Sequence, residues 1–385
     1  MTSSPDNPRI LVGASIPRSG HHFLADMMTA YYGSEIYYCE YYTLPTCCRA
    51  LPCTRRGAHS VIYQKSHDRD FKLAPDVALA LYLIQYRHPV PEALSDRELD
   101  LQDGFGRPSL AYRSTIHGYQ NWLAGKAIYY RRFHDKWIVP KLSNAIYLDY
   151  VDLAADPKRW LTEIVKQTSG AADDARIDAA IEKVRGPKSS SFKPRVISDS
   201  PYFDAALLGA LEAWILERCP QYGYSSELNG SYENSPIYGL ILLKDTNEPL
   251  PKGEKKRLMV AAELAPQHPE IKRRLAMKAM REGRAADGMK RFENLIAAHP
   301  YFSGGYKALF TACAETGTAV PDFALTGNAL VACSESAELS IELGDLFAGR
   351  KLLVNAAMAY GQALTLEPQN ADAAQKRKAV IHEIK

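Results

Sequence analysis

A short apolar run, Ile10 to Ile16 (ILVGASI), ends at Pro17, and after the turn PRSG the chain continues as HHFLADMMTAYYG, with apolar residues at helical spacing up to Gly33. An apolar run this short, bounded by a turn former, reads as a buried strand, and the following periodicity reads as an amphipathic helix. Strand, tight turn and helix in that order point to an α/β fold with a parallel sheet covered by helices on both faces. Later runs extend the pattern. Ser60–Gln64, Ala80–Tyr86 and Ala145–Leu148 predict three more strands, with helix-like segments at about 112–135 and 157–168.

The texture changes near residues 225–255, where SSELNGSYENSPIYG and KDTNEPLPKGEKK are rich in turn formers. The expected organisation is a nucleotide-binding domain at 1–225, a linker or packing segment at 226–254, and an all-helical domain at 255–385. A period of 34 residues runs through the last part. With Pro269 as position 1, Leu275, Ala276, Ala279, Phe292, Leu295 and Pro300 fall at positions 7, 8, 11, 24, 27 and 32. With Ala337 as position 1, Leu343, Gly344, Phe347, Ala356, Tyr360, Ala363 and Pro368 fall at 7, 8, 11, 20, 24, 27 and 32. This resembles the tetratricopeptide repeat, in which small residues admit close helix contact and large ones fill the gaps. The intervening 303–336 frame is degenerate, with Asp322 and Thr326 where small and aromatic residues are usual. Helices at 255–265 and 371–384 are expected to cap the array, because each helix pair needs neighbours to bury its inner face. An ordinary helical bundle with an accidental period is the competing reading.

At 385 residues and 46% hydrophobic, the chain can bury at least one large core. Lys and Arg total 47 against 44 Asp and Glu, a balance of +3 without a long basic run, which argues against generic nucleic-acid binding. No segment approaches the ~20 apolar residues of a membrane span, and the first residues lack a signal-like core, so a cytoplasmic location is expected. The seven cysteines, Cys47, Cys48 and Cys53 among them, form no recurring framework and are expected to be mostly reduced.

The turn after the first strand is Pro17-Arg18-Ser19-Gly20-His21-His22-Phe23-Leu24. Glycine between strand and helix lets the backbone curl round an anion, and the helix N-terminus favours phosphate. The sequence is not GxxxxGK[ST], since neither the lysine nor the magnesium-binding hydroxyl is present. It resembles the PxSGTTxL loop of the sulfotransferases that use 3′-phosphoadenosine 5′-phosphosulfate (PAPS). Pro17, Ser19, Gly20 and Leu24 match that loop; Arg18 replaces its lysine and His21–His22 replace its threonines. The second strand runs into Lys65-Ser66-His67, similar to the family's K[TS]H segment. That resemblance implies His67 as general base and Lys65 as a stabiliser of developing charge, a role it extends to Arg18. The third strand ends in RHPVPEALS, which resembles RxPxxxxxS and implies that Arg87 and Ser95 hold the nucleotide 3′-phosphate. IYLDYVDLAADP resembles [YE]xDLxxDP through Tyr150, Asp152, Leu153, Asp156 and Pro157, and implies that Pro157 starts a helix.

The late basic segment VRGPKSSSFKPR offers Arg185, Gly186, Lys188, Lys193 and Arg195 as a second cover for the 3′-phosphate, or as solvated charge. The resemblance covers roughly residues 8–220. It implies sulfuryl transfer from PAPS to an acceptor hydroxyl, with adenosine 3′,5′-bisphosphate as product, Arg18, Ser19, Gly20, His21 and His22 on the 5′-phosphate, and no metal. The adjacent His21 and His22, with His59 or His67, lack the carboxylate or thiolate spacing of a metal site. An ATP- or GTP-dependent phosphotransferase, or a repeat scaffold with a decayed nucleotide fold, are the alternatives. The aromatic segment with Tyr112, His117, Trp122, Tyr129, Tyr130, Arg131, Arg132, His134 and Trp137 could enclose a glycan, glycoconjugate, peptide or small hydroxyl acceptor, or could form a helix packed on the sheet. The helical repeats could bind a protein partner or a second copy of the chain.

Overall fold

The computed structural model describes residues 9–40, 47, 50–54, 57–76, 78–103, 110–185, 196–245 and 253–384. Gly186 and Lys188, with Lys193 and Arg195, lie outside the described residues, as does Cys48. The chain divides into two compact units, Met1–Glu98 with Lys126–Ser231, and Leu99–Gly125 with Tyr232–Lys385. No described helix is long and apolar enough to cross a membrane.

The first unit begins β1 (Arg9–Ser15), α1 (His21–Tyr32), β2 (Ile36–Glu40), β3 (Val61–Ser66) and β4 (Leu81–Tyr86). The chain then leaves through α2 (Pro89–Asp103) and α3 (Leu110–Arg113) and returns along α4 (Ile116–Phe133). It continues with β5 (Ala145–Asp149), α5 (Tyr150–Ala155), α6 (Pro157–Ser169), α7 (Asp174–Arg185) and α8 (Ala205–Arg218). The five strands form one parallel sheet in the order β2-β3-β1-β4-β5. Every residue of β3 is buried, as are Leu11–Ser15 of β1 and Leu81–Gln85 of β4, whereas β2 and β5 are only partly covered. Parallel strands covered on both faces carry near-continuous apolar runs, which is why the inner strands were readable from sequence. The edge strand β2, IYYCE, carries a half-buried Tyr-Tyr pair and a terminal glutamate in place of such a run.

Leu11, Tyr63, Leu83 and Leu148 of the sheet pack with Phe23, Leu24 and Met27 of α1 and with Leu161, Ile164 and Ile177 of α6 and α7. Asp156 caps α6 by accepting from the Arg159 amide (3.0 Å), and Pro157 occupies its first turn, as the sequence implied. The buried Glu212 accepts from the Ser226 hydroxyl and from the amides of Glu227 and Leu228, and so fastens residues 226–228 to α8.

The second unit continues as α9 (Pro236–Lys244), α10 (Glu254–Leu264), α11 (Pro269–Arg281), α12 (Ala285–Ala298), α13 (Ser303–Thr316), α14 (Gly327–Cys333), α15 (Ala337–Gly349), α16 (Leu353–Leu366) and α17 (Ala371–Ile384). The fold is therefore a helix-flanked parallel sheet followed by a long stretch of helices. Ala276, Ala279, Phe292 and Leu295, and Leu343, Gly344, Phe347, Ala356, Tyr360 and Ala363, are all buried at the positions the 34-residue period singles out. A Cβ on Gly344 would lie 2.5 Å from the Tyr360 ring, so the small residue at position 8 makes room for the aromatic at position 24. The middle frame inverts this pair, with buried Phe310 at position 8 and Thr326 at position 24. Its second helix is correspondingly short, α14 starting only at Gly327 after a single 3₁₀ turn.

His268 joins α11 to the start of α4 within this unit. Its Nδ1 accepts from the Glu270 amide (3.2 Å), and its Nε2 donates to the His117 carbonyl (3.1 Å), an arrangement only the neutral ring can make. Burial is the main cause holding its pKa down from 6.5 to about 4. The unfolded chain therefore takes up the proton first as pH falls, so this contribution is full above 6.5 and is lost toward pH 4. The size is up to about 3 kcal/mol at the acid end. Amide hydrogen exchange in the first turn of α11 should accelerate between pH 7 and 4.5 beyond the intrinsic pH effect. His268→Asn, which keeps a capping oxygen without a titrating ring, should flatten that dependence. Equal protection in the native chain across the range would overturn the assignment.

Candidate functional site

The parallel sheet brings the carboxyl ends of β1, β3 and β4 together beside one another. Ala14 lies opposite Ser66 of β3 and Ile84 of β4, and Ser15 opposite Gln85. The connections from β1 and β4 leave toward opposite edges, and in open α/β sheets such a switch point forms a crevice for ligands. The turn 17–22, residues 65–67 and Arg87 sit at these strand ends, and Ser95 lies in α2, the helix that follows β4.

The turn itself is tightly constrained. Arg18 and Gly20 have φ of 60° and 84°, and Gly20 is the N-cap of α1 without a side-chain hydrogen bond at the cap. A Cβ on Gly20 would lie 2.6 Å from Cδ2 of Tyr150, so the glycine meets both a left-handed conformation and an aromatic wall. Helix geometry leaves the first amides of α1 without intrahelical partners, at the positive end of the helix dipole. Ser19 faces inward. Its hydroxyl donates to the Ile16 carbonyl (2.6 Å), with the Gln85 carbonyl at 3.3 Å, so it braces the turn from beneath instead of presenting a donor to a ligand.

Arg18 connects what the sequence kept apart. Its Nε donates to the Ser95 hydroxyl (2.9 Å), while Arg87 donates to the Arg18 carbonyl (3.1 Å) and lies 4.4 Å above the Tyr150 ring. Arg18, Arg87 and Ser95 thus form one hydrogen-bonded group, although the resemblance assigned Arg18 to the 5′-phosphate and the transferred group and the other two to the 3′-phosphate. Tyr150 matched only a structural motif in the sequence; it is the surface on which both Gly20 and Arg87 rest.

His67 is held by its own strand neighbours. Its Nδ1 lies 2.8 Å from the Ser15 carbonyl, an acceptor only, so Nδ1 carries the proton and Nε2 keeps its lone pair. The Tyr129 hydroxyl donates to the His67 carbonyl (2.6 Å) and fixes the backbone there. Burial, reinforced by the Lys65 charge, holds the His67 pKa down to about 3, so the ring is neutral at physiological pH. Burial likewise lowers Lys65 to about 8, against the pull of Glu40, whose Oε1 is 3.9 Å from Nζ. Lys65 lies near the end of β3, which stops at Ser66, so His67 follows just after the strand and does not continue it.

His21 and His22 open α1 with ring centroids 4.0 Å apart, and the His21 ring meets that of His67 edge-on at 4.7 Å. Burial lowers the pKa of both His21 and His22, with Lys65 adding to the effect. Glu40 arrives from β2, and one ligand atom from each of His21, His22 and Glu40 lies within 4.8 Å of the others. Sequence spacing missed this grouping because the carboxylate comes from another strand. His59, weighed as a partner, instead has Nδ1 2.9 Å from the Ser34 carbonyl.

Two further expectations land elsewhere. Arg185 donates to the Ala154 carbonyl at the end of α5. Of the aromatic segment, Tyr130, His134 and Trp137 are buried, with the Trp137 ring tilted against Tyr82 at 5.7 Å and its Nε1 donating to the Asp68 carboxylate (2.9 Å). Tyr112 packs by Phe302 in the helical unit. These side chains pack the interior of their units, which answers the choice between an acceptor wall and a packed helix in favour of packing for them. Near the site, buried Lys126 bridges Glu92 (2.6 Å) and Asp96 (2.5 Å), and burial pushes the Glu92 carboxyl up to about 7 despite that ammonium.

No protein-family model and no curated protein matches the chain.

Gly20→Ala should destabilise the first unit by about 1–2 kcal/mol through the left-handed backbone and the Tyr150 clash. Adding Tyr150→Ala should relieve the steric part, so the double variant should melt higher than the sum of the two single losses. Strict additivity in thermal unfolding would show that Gly20 and Tyr150 do not constrain each other.

Proposed function

We propose that the first unit is a PAPS-dependent sulfotransferase that transfers a sulfuryl group to an acceptor hydroxyl and works in the cytoplasm. The observation that carries this reading is the convergence of three separated segments, 17–22, Lys65–His67 and Arg87–Ser95, on neighbouring carboxyl ends of one parallel sheet. A neutral His67 with its lone pair on Nε2 has the form a general base requires. Its pKa of about 3 makes it a weak base in the ligand-free site. An anionic donor beside it would raise that value, because nearby negative charge favours the imidazolium.

In the proposed reaction the acceptor oxygen attacks sulfur, the new O–S bond forms, and the bond from sulfur to the donor phosphate oxygen breaks. The acceptor proton passes to His67 Nε2, and the leaving phosphate keeps the electron pair as adenosine 3′,5′-bisphosphate. Lys65 would offset charge on the sulfonate, and the amides at the start of α1 would hold the 5′-phosphate. Arg87 and Ser95, with Arg18 between them, would hold the 3′-phosphate, which requires Arg18 to exchange its bond to Ser95 for the ligand. For the helical unit we propose a tetratricopeptide-like array that binds a protein partner or the acceptor. Its support is the burial of Ala276, Ala279, Phe292 and Leu295 and of Leu343, Gly344, Phe347, Ala356, Tyr360 and Ala363 at repeated positions. A glycan or glycoconjugate acceptor belongs to this proposal only as a class.

The test is calorimetric binding of PAPS and adenosine 3′,5′-bisphosphate without magnesium, against ATP and adenosine 5′-phosphate. The 3′-phosphorylated ligands should bind selectively, and Arg87→Ala should remove the selectivity. With an acceptor in hand, His67→Ala should lower kcat by about 10²–10⁴-fold. A folded protein that binds neither PAPS nor its product is a scaffold with a decayed nucleotide fold, and magnesium-dependent ATP or GTP turnover would make it a phosphotransferase.

A further inference from the structure

We infer that His21, His22 and Glu40 form a binding site for a divalent transition-metal cation of the zinc class, at the mouth between α1 and the end of β2. One ligand atom from each of the three lies within 4.8 Å of the others, close enough for a single ion to reach all three after small side-chain rotations. Imidazole and carboxylate are the donors that zinc and its neighbours in the first transition row take, at about 2.0–2.2 Å.

The second observation is independent of that clustering. His21 is 5% exposed, and neither of its ring nitrogens has a hydrogen-bond partner among the described residues. A buried imidazole that satisfies neither nitrogen is costly, and each such group in a native structure asks for a missing partner. Every other histidine that is as buried has one: His88, His134 and His268 all contact carbonyl or carboxamide oxygens. A metal ion would supply the missing partner for one His21 nitrogen, and His22 and Glu40 are the groups around it that can share the ion.

The surroundings suit a ligand set. The Tyr38 hydroxyl donates to Glu40 Oε1 (3.1 Å), the kind of outer hydrogen bond that orients a metal-binding carboxylate. Adjacent positions 21 and 22 at the start of a helix project the two imidazoles from a turn already fixed by Gly20. Opposing the cation is the Lys65 ammonium, 3.9 Å from the same carboxylate oxygen, which the ion must displace. Three protein ligands leave a position open in a tetrahedral zinc site, the arrangement of sites that bind an exchangeable ligand and not of closed structural ones. The inference stands apart from the transferase reading, since it concerns the metal alone.

The experiment titrates untagged, metal-stripped full-length protein with Zn²⁺ by calorimetry and, separately, with Co²⁺ followed by visible absorption, both without nucleotide. One equivalent should bind, and the cobalt form should show ligand-field bands of nitrogen and oxygen donors without thiolate charge transfer. His22→Ala and Glu40→Gln, both with a circular-dichroism check of folding, should each weaken binding by about tenfold or more. Three results would overturn the site: no uptake by the folded protein, uptake that both variants leave unchanged, or an intense thiolate band placing the ion on Cys39, Cys47 and Cys53, three free cysteines buried together beside Ile62.

Discussion

The parallel pairing of β1 with both β3 and β4 is the constraint on which the candidate site depends. Parallel strands point their carboxyl ends the same way, so residues 52 and 69 positions apart in the chain are delivered to one edge without any side chain having to reach far. Antiparallel pairing with the same residues would carry Lys65 and His67 to the far end of β1. Each later interaction builds on that delivery: His67 can donate to the Ser15 carbonyl because β3 runs beside β1, and Ser19 can reach the Gln85 carbonyl because β4 does.

On this edge the turn residues are organised by their neighbours as much as by their own preferences. Gly20 is shaped by Tyr150 from the start of α5, Arg87 stacks on the same ring, and Arg18 is drawn to Ser95 of α2. Positive charges from Arg18, Arg87 and Lys65 gather without equal carboxylate compensation from the same turn, and burial keeps the nearby imidazoles neutral. The result is a region whose fixed charge is cationic but whose histidines retain lone pairs. Such a region can accept either an anion through its arginines and amides or a proton through His67.

Much of this was legible in the sequence, and the failures have physical causes. Inner strands buried on both faces leave largely apolar runs, so β1, β3 and β4 and the turn after β1 could be read directly, and the edge strand β5 was legible from the short apolar run at 145–148. β2 could not, because Tyr37, Tyr38 and Glu40 at a half-covered edge break the run. Spacing also located Lys65, His67 and Arg87 at strand ends, since a strand end is a local property, and Ser95 in the helix that follows. It did not show that Ser19 turns inward, that Arg18 binds Ser95, or that Glu40 joins His21 and His22, because those are contacts between distant segments. Charge and hydrogen-bonding capacity name what a residue can do, and only packing decides which partner it meets.

The exchanged sizes in the middle helical frame carry a consequence for how each frame is filled. Where the outer frames set a glycine or alanine against an aromatic ring, this frame sets Phe310 where the small residue stands and Thr326 where the ring stands. Because Gly344 and Tyr360 belong to one frame, their contact closes inside that frame and travels with it. The two positions are therefore tied to each other in size, and a ring at the later one calls for a small residue at the earlier one.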